Sequence, residues 1–224
     1  LPRLAASQAA QTSKLTLVLV NDIYQMNEDT GPDGRKRGGF PRLAAIVKAE
    51  RARAAQSGSQ VIFAHAGDTL SPSLMSGIDR GYHIISLLNM IPPDIFVPGN
   101  HDDPGIMWGY FRDTRMFPAK PPHYQYAIES LPFRVLMLNS HLDNSELPQY
   151  GARRLQWLEQ QLSGSDRPTL IAIHHPPFQT GIGFIDMVGP DWYRGLGEVV
   201  GRHPQVLKIV CGHGHSDLHG RLGR

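Results

Sequence analysis

Residues 61–68 read VIFAHAGD, an apolar run that ends on a glycine and an aspartate. A short run of this kind, bounded by a turn residue, predicts a buried β-strand. In an open α/β sheet, ligands collect in the crevice beyond the carboxyl ends of the strands. Asp68 is therefore a candidate site residue.

Four further apolar runs end in the same way, each at an acid, an amide or an imidazole. They are residues 15–22 (LTLVLVND), 95–101 (IFVPGNH), 170–175 (LIAIHH) and 206–215 (VLKIVCGHGH). Gly67, Gly99 and Gly212 stand beside three of these groups, where glycine permits tight turns. Carboxylate, carbonyl and imidazole groups are metal ligands. Five such strand ends in one chain predict a polynuclear metal site.

Length and composition fit a single soluble globular domain of residues 1–224. The 224 residues suffice for one large α/β core, and 41% hydrophobic with 19% charged residues is ordinary for a globular protein. The net charge is only +2 and the basic residues form no long block, so the charge pattern does not indicate nucleic-acid binding. No apolar stretch approaches the roughly 20 residues that cross a bilayer. The expected binding partner is a small molecule. The sequence does not decide whether the chain forms a homo-oligomer.

The cellular compartment is not determined by the sequence. The lone Cys211 excludes an internal disulfide framework but leaves the redox environment open. The chain starts at Leu1, and Ala9 and Ala10 are similar to the small-residue end of a secretory signal whose hydrophobic region is missing. A periplasmic or secreted location and a cytoplasmic one are equally open.

Strand and helix signals alternate along the chain. Strands are predicted at residues 15–20, 61–64, 95–97, 124–128, 133–138, 169–173 and 206–210. Apolar side chains at helical spacing predict helices from Pro41 onward and around residues 84–91, 155–162 and 196–200. Residues 21–39 are predicted to be a polar loop, and residues 104–123 to be irregular with a short helix before Pro118. This alternation favours helices on both faces of a β-layered core.

The ordered motifs resemble those of the calcineurin-like metallophosphoesterases. The family pattern is D-x-H, G-D, G-N-H-[DE], an isolated His and G-H-x-H, and here it reads Asp22, Gly67-Asp68, Gly99-Asn100-His101, His174 and Gly212-His213-Gly214-His215. The match spans residues 15–215. The resemblance implies an α/β fold, a four-layer α/β/β/α metallophosphoesterase sandwich.

The resemblance also implies a dinuclear centre of two divalent Mn, Zn or Fe ions with a bridging hydroxide as nucleophile. Its ligands would be Asp68 between the ions, Asp22 and His215 on the first ion, and Asn100, His174 and His213 on the second. His101 would stand beside the ions as the proton donor or as a partner of the phosphoryl group. Two such cations, about 3.5–4 Å apart, can clamp the attacking and leaving oxygens of an in-line displacement.

One motif departs from the family pattern. Tyr24 occupies the place where the family has histidine in D-x-H. A phenol with an ordinary pKa near 10 is a poor ligand for Zn or Mn. Tyr24 therefore either donates a hydrogen bond near the first ion or binds a harder ion such as ferric iron.

The two halves of the chain resemble different branches of the family. Residues 15–101, with NDIY and AGDTLSPSLMSG, resemble 5′-nucleotidases. Residues 102–224, with LQWLEQQL, IHHPPF and HPQVLKIVCGHGH, resemble glycerophosphodiesterases and cyclic-nucleotide phosphodiesterases. The chain is then either a divergent natural member or an engineered fusion joined near Asn100.

Several residues near the motifs carry alternative interpretations. His175 competes with His174 as ligand, and His174 is favoured because the family ligand lies two residues before the first proline, Pro176. Asp102 and Asp103 either orient His101 or belong to a solvated loop. His65 is predicted to be a core or supporting histidine. Histidines without a motif are predicted on the surface: His83, His123, His141, His203 and His219.

Three functions are compatible with these motifs. The first is a phosphodiesterase acting on cyclic nucleotides or glycerophosphodiesters, with segment 181–189 and its Asp186 as a mobile rim of the pocket. The second is a phosphomonoesterase of the 5′-nucleotidase type. The third is a catalytically silent metal-binding scaffold, which the tyrosine at position 24 favours.

Overall fold

The computed structural model describes residues 14–24, 26–112, 124–131, 133–142, 145–215, 220 and 222. Strands and helices alternate through these residues as the sequence predicts. The strands are β1 (Leu15–Val20), β2 (Glu28–Thr30), β3 (Lys36–Gly38), β4 (Gln60–His65), β5 (Ile95–Phe96), β6 (Tyr126–Ile128), β7 (Arg134–Leu138), β8 (His141–Leu142), β9 (Ser145–Pro148), β10 (Thr169–Ile173) and β11 (Val206–Cys211). The helices are α1 (Phe40–Ser57), α2 (Leu74–Asp79), α3 (Tyr82–Leu88), α4 (Pro104–Phe111), α5 (Ala152–Ser163), α6 (Gly183–Asp186) and α7 (Asp191–Gly201).

Helices long and apolar enough to cross a membrane are absent from the described part of the chain.

Two main sheets carry the fold. The first is parallel, in the order β1-β4-β5, and the second has the order β11-β10-β7-β6, with only β6 antiparallel to its neighbour. The short pairs β2–β3 and β8–β9 form separate hairpins. All strands of the first sheet precede residue 97 and all strands of the second follow residue 125. Each sheet therefore comes from one of the two halves that differ in sequence character.

The second sheet separates two apolar layers. Because side chains alternate along a strand, Leu136 and Ile171 face one way and pack with buried residues of α5 and α7, such as Leu158. Val135 and Ala172 face the opposite way and join the core of the first sheet. The four-layer α/β/β/α prediction is thus confirmed.

Helix α1 covers the outer face of the first sheet. It begins after Gly39, whose φ of 85° suits only glycine, and has proline in its first turn, where a missing N–H costs no hydrogen bond. Phe40 and Val47 are buried in the first core, while Ile46 is exposed. The helix ends at Gly58, in a left-handed conformation that lets its N–H bond to the Ala54 carbonyl.

Two strands predicted to be buried are edge strands. Leu15 and Leu19 of β1 are 38% and 39% exposed, and Leu207 of β11 is 66% exposed. Each strand is the outer member of its sheet, so one flank has no neighbouring strand among the described residues. An apolar run indicates a strand but does not show which position it takes in the sheet.

Some elements were not predicted from the sequence. The polar loop at residues 21–39 contains the hairpin β2–β3, and α2, α6 and β8–β9 were missed as well. These elements are short, and most are polar or exposed, so they carry little hydrophobic periodicity. The helix expected before Pro118 is α4, and residues 113–123 lie outside the described residues.

Candidate active site

The predicted site residues follow the carboxyl ends of five parallel strands. Asp22 follows β1, Asp68 follows β4, and Asn100 with His101 follows β5. The second sheet contributes His174 after β10, and His213 and His215 after β11. The site therefore lies where the two sheets meet, and each half of the chain supplies part of it.

The residues predicted for the second ion surround one point. The Nε2 atom of His174 lies 2.9 Å from Asn100 Oδ1, 3.1 Å from His213 Nδ1 and 3.3 Å from Asp68 Oδ2. Donors that share an ion at roughly 2.0–2.2 Å lie about 3 Å from one another. A carboxylate, an amide oxygen and two imidazoles at this spacing fit a single divalent cation.

The His174 ring is held in the orientation that a ligand needs. Its side chain is fully buried, and its Nδ1 lies 2.6 Å from the carbonyl oxygen of Ala66. A hydrogen bond of this kind fixes the ring and directs Nε2 toward Asn100 and Asp68, where a bound ion would replace its proton. Because Ala66 directly follows β4 of the first sheet and His174 directly follows β10 of the second, the same contact joins the two sheets at the site.

The residues predicted for the first ion also lie together. His215 Nε2 is 2.8 Å from Asp22 Oδ2. The backbone N–H of Asp22 donates to the Gly67 carbonyl at 3.2 Å, which places this turn directly beside the Asp68 turn. Asp22 and His215 thus form a second carboxylate–imidazole pair next to the first set.

Four of the predicted ligands have left-handed backbones. Their φ angles are positive: Asp22 54°, Asp68 58°, His213 61° and His215 46°. Among the described residues, the remaining non-glycine residue with positive φ is Arg80. Such conformations cost roughly 1–3 kcal/mol each and cluster at functional sites. These turns therefore carry backbone strain, and they direct the four side chains into the crevice.

Two glycines allow the turns to approach each other. A Cβ on Gly99 would lie 2.1 Å from Asp68 Oδ1, and a Cβ on Gly67 would lie 2.4 Å from His174 Nδ1. Both distances are far below van der Waals contact, so any side chain there would displace a predicted ligand. The sequence predicted that glycine is needed beside the ligands, and at Gly67 and Gly99 the reason is this lack of space for a Cβ.

The ionisation of Asp68 and His213 suits metal binding at neutral pH, whereas an ion would have to displace a proton from His174, whose pKa is lowered by burial but raised overall by its contacts with Asp68. Burial alone would raise the pKa of Asp68, but the hydrogen bond from His174 and the backbone N–H of His101 outweigh it and lower the pKa to about 2. Burial, followed by the charge of His174, lowers the pKa of His213 to about 4. A carboxylate anion and a neutral imidazole are the forms that coordinate cations.

His101 stands beside these groups. Its backbone N–H donates to Asp68 Oδ1 at 3.0 Å, so the turn that carries Asn100 also places His101 next to the bridging position. Its side chain is partly exposed and lines two cavities, of about 510 Å³ and about 300 Å³. This position gives His101 access to a substrate bound between the cavities.

Asp102 is buried, so the solvated-loop alternative is wrong for it. Its Oδ1 accepts hydrogen bonds from the N–H groups of Thr69 and Leu70, both at 2.8 Å, and its Oδ2 accepts one from Gly99 at 2.9 Å. Burial, and then the charge of Asp68, raise the pKa of Asp102 to about 6. The carboxylate joins the turn after β4 to the turn after β5. Asp103 is exposed and caps α4.

His141 is a supporting residue that the sequence analysis placed wrongly on the surface. Its side chain is buried, and its Nδ1 lies 3.0 Å from the Gly99 carbonyl. It therefore supports the Gly99–His101 turn from the β8–β9 hairpin. A signal was available, since the polar triplet 139–141 directly follows the apolar strand β7 and marks a sixth strand end.

Two other histidines predicted on the surface are largely buried. The side chains of His83 and His203 are 10% and 12% exposed, and they pair with Asp79 and Glu159. His83 lies in α3 and His203 just after α7, and each has a carboxylate within reach, which a motif search does not detect. His123 and His219 lie outside the described residues. His65 is buried and stacks on Phe96, as a core histidine does.

His175 lies close to the same cluster. The imidazoles of His174, His175 and His213 place ligand atoms within 4.8 Å of one another. The Nδ1 of His175, however, is 2.8 Å from the Ser140 hydroxyl, whereas the contacts with Asn100 and Asp68 belong to His174. This geometry supports His174 as the ligand and gives His175 a place beside the pocket.

Tyr24 points toward the first-ion residues. Its hydroxyl donates a hydrogen bond to Asp22 Oδ1 at 3.2 Å. Of the two roles considered for Tyr24, hydrogen bonding near the first ion and binding of a harder ion, this contact matches the first. Burial, and then the charge of Asp22, raise the pKa of Tyr24, so phenolate formation is disfavoured further. The residues predicted for the first ion therefore include one nitrogen ligand fewer than the family pattern.

We expect Tyr24→His to strengthen binding of the first ion. The histidine would place an imidazole beside Asp22, on the side where Tyr24 already contacts the carboxylate. The variant should need less added Mn²⁺ or Zn²⁺ for full metal occupancy. Calorimetric titration of the metal-free forms measures this difference. Tyr24→Phe, which removes only the hydroxyl, is the control, and equal affinities of Tyr24→His and wild type would contradict the assigned direction of the side chain.

Comparison with known proteins agrees with this geometry. The chain is 32% identical over 126 residues to the glycerophosphodiester phosphodiesterase GpdQ of Enterobacter lignolyticus (55% of this chain, 45% of that protein). It is 28% identical over 127 residues to the 3′,5′-cyclic adenosine monophosphate phosphodiesterase CpdA of Escherichia coli K12 (56% and 44%). The chain thus spans about half the length of these relatives.

The fold has solved counterparts as well. The crystal structure of 5′-nucleotidase from Candida albicans superposes with a TM-score of 0.61 at 12% identity, covering 93% of this chain and 44% of that one. Such a likeness shows the shared fold. The calcineurin-like phosphoesterase family matches residues 15–217, which include every predicted ligand. The chain belongs to the calcineurin-like phosphoesterase family.

Proposed function

We propose that this domain hydrolyses phosphodiesters with the help of two divalent metal ions. The observation that carries the proposal is the position of His101, which lines both cavities beside the predicted ligands. A phosphodiester has two substituents on phosphorus, and each can lie in one cavity with the phosphoryl group between them. A monoester would need only one of these spaces.

The two cavities differ in their side chains. The larger one, lined by α2 and the start of α4, includes the hydroxyls of Ser71, Ser73 and Ser76 and the guanidinium of Arg80. The smaller one reaches Asn100 and His213 at its inner end and is mainly apolar outside them. This asymmetry favours diesters whose two substituents differ in polarity.

The named relatives support the same class of substrate. The two enzymes described above are named for a glycerophosphodiester and for a cyclic nucleotide, both of which are diesters. The 5′-nucleotidase likeness, at 12% identity, concerns the fold. Glycerophosphodiesters and cyclic nucleotides are therefore the first natural candidates for this domain. The two-cavity argument applies to the glycerophosphodiesters, because a cyclic nucleotide carries both ester oxygens on one ribose.

The residues of the site have separable tasks in this proposal. Asp68, Asn100, His174 and His213 would hold one ion, while Asp22, Asp68 and His215 would hold the other. When bound, Mn, Zn or Fe ions would polarise the phosphoryl group and make a water nucleophilic at neutral pH. His101 would donate a proton to the oxygen of the departing alcohol. Asp102 and His141 hold the Gly99–His101 turn in place.

Metal analysis and a pair of chromogenic esters test this proposal. We expect the purified protein, reconstituted with Mn²⁺, to hold close to two ions per chain. It should hydrolyse bis(p-nitrophenyl) phosphate with a kcat/KM at least about tenfold above that for p-nitrophenyl phosphate, a difference of about 1.4 kcal/mol. A preference for the monoester would indicate a phosphomonoesterase, and a metal content near zero would indicate a silent scaffold.

A further inference from the structure

The smaller cavity beside His101 has an apolar outer wall built from two distant segments. Three of its apolar side chains are strongly exposed to solvent: Phe184 is 64% exposed, Met187 is 74% exposed and Leu147, on β9, is 52% exposed. Single exposed apolar residues are common, but a contiguous apolar surface that borders a pocket marks a binding site. These side chains therefore need an explanation as a group.

The rim that carries Phe184 and Met187 is held by hydrogen bonds. The Asp186 carboxylate accepts from the Thr180 N–H at 2.9 Å, the Thr180 hydroxyl at 3.0 Å and the Gly181 N–H at 2.7 Å. The backbone carbonyl of Asp186 also accepts a hydrogen bond from the Gly189 N–H at 3.0 Å. Asp186 thus ties both ends of segment 180–189 together while the apolar side chains between them line the cavity.

Polar groups in this cavity are confined to the end where the phosphoryl group would lie. They are Asn100, His101, His175 and His213. The other lining residues are apolar, and among the described residues the lining contains no carboxylate, ammonium or guanidinium group. Trp192, at the start of α7, closes the wall and meets the His175 ring edge-on, with 6.0 Å between ring centroids.

We propose that this cavity binds an apolar substituent of the substrate, an alkyl, acyl or aryl group, and that Phe184 and Met187 determine this specificity. The inference rests on the proposed phosphodiesterase function and narrows its substrate class. A volume of about 300 Å³ is at the lower end of the range for small-molecule sites, roughly 300–1,000 Å³. Among the described residues, the outer wall offers the hydroxyls of glycerol or a sugar only the indole N–H of Trp192 as a side-chain partner.

Binding of alkyl phosphonate esters tests the inference; their P–O ester bond has a poor alkoxide leaving group, and phosphorus NMR of the titrated sample checks that the esters remain intact. The methyl and hexyl monoesters of methylphosphonic acid carry the single negative charge of a diester and differ only in chain length. Burial of one methylene strengthens binding up to about fourfold. We therefore expect the metal-loaded wild type to bind the hexyl ester at least about tenfold more tightly than the methyl ester, as measured by calorimetry.

The double variant Phe184→Ser/Met187→Ser should remove the preference for hexyl and leave methyl-ester binding unchanged. Both side chains are exposed, so the fold should tolerate these substitutions. Met90→Ser is the matched control, since Met90 is 73% exposed and does not line this cavity. It should retain the wild-type preference.

Other outcomes separate the inference from the function on which it rests. Equal binding of the two esters by the wild type, or an unchanged preference in the double variant, would overturn the inference. A hexyl preference without any hydrolysis of diesters would uphold the cavity assignment and reject the proposed function. A dimer of the wild type that the double variant dissociates, together with equal ester binding, would show that the surface binds a second copy instead.

Discussion

Asp68→Asn should reduce diester hydrolysis by more than about a thousandfold and remove much of the bound metal. Asp68 is the predicted ligand of both ions, and its Oδ2 lies 3.3 Å from His174 Nε2 while its Oδ1 accepts from the His101 backbone. An amide oxygen retains the shape but not the charge that two cations share. Steady-state rates and metal analysis of the purified variant measure both effects.

The fold should tolerate this substitution. Asn adopts left-handed backbone conformations readily, so the φ of 58° at this position adds no new strain. The two apolar cores lie elsewhere in the sheets. The metal-free variant should still unfold cooperatively, with a midpoint below that of wild type, because the contacts with His174 and His101 that lower the pKa of Asp68 stabilise its carboxylate and are weakened by the amide. Activity within about tenfold of wild type, a barrier change of about 1.4 kcal/mol, would show that Asp68 is not a shared ligand.

Asp102→Asn is the matched control for the loss of a buried carboxylate. Asp102 is as buried as Asp68, but within the described part of the chain its oxygens accept from the backbone N–H groups of Thr69, Leu70 and Gly99. The amide nitrogen of asparagine would face one of these donors, which costs about 1–3 kcal/mol of stability, whereas removal of a carboxylate whose pKa is raised by burial acts in the opposite direction. This variant should retain its metal, unlike Asp68→Asn.

His101→Ala should reduce turnover by roughly 10²–10⁴ and leave the metal content intact. This is the usual range for a positioned general acid or base. The alanine retains the backbone N–H that bonds to Asp68, so the ligand turn should persist. Metal analysis together with kcat for a diester with an alkyl leaving group measures the two expectations.

The size of this loss should depend on the leaving group. A nitrophenolate departs without protonation, so nitrophenyl diesters should lose much less activity than alkyl diesters in His101→Ala. A plot of log kcat against the pKa of the leaving alcohol should be steeper for the variant than for wild type. An equal loss with every leaving group would exclude proton donation, and loss of metal would identify His101 as a ligand.

The local features of the site were readable from the sequence because they depend on neighbouring residues. Apolar runs that end on Asp68, Asn100 or His174 predicted strands with donors at their carboxyl ends, and the structure has strands there. Gly67 and Gly99 were predicted from the need for tight turns, and both make approaches that no side chain permits. The four-layer architecture followed from strand–helix alternation together with the family resemblance.

Predictions from the sequence were wrong or undecided for residues whose surroundings are formed by distant segments of the chain. His141 has no motif around it, yet its ring reaches the Gly99 carbonyl 42 positions away. The sequence allowed either a supporting role or a solvated loop for Asp102. In the structure Asp102 is buried and accepts hydrogen bonds from three backbone N–H groups. Leu19 and Leu207 belong to strands at sheet edges, a position that depends on which strands pair.

The sequence by itself therefore determined the kinds of donor atoms, the strand ends that carry them and the turns between them. These properties follow from side-chain chemistry and from the backbone preferences of adjacent residues. Only the tertiary structure decided that donors from the two sheets share one point, because that depends on contacts such as His174 with Ala66, 108 residues apart. The apolar cavity formed by Leu147, Phe184 and Met187 has the same origin, since packing between distant segments creates its walls.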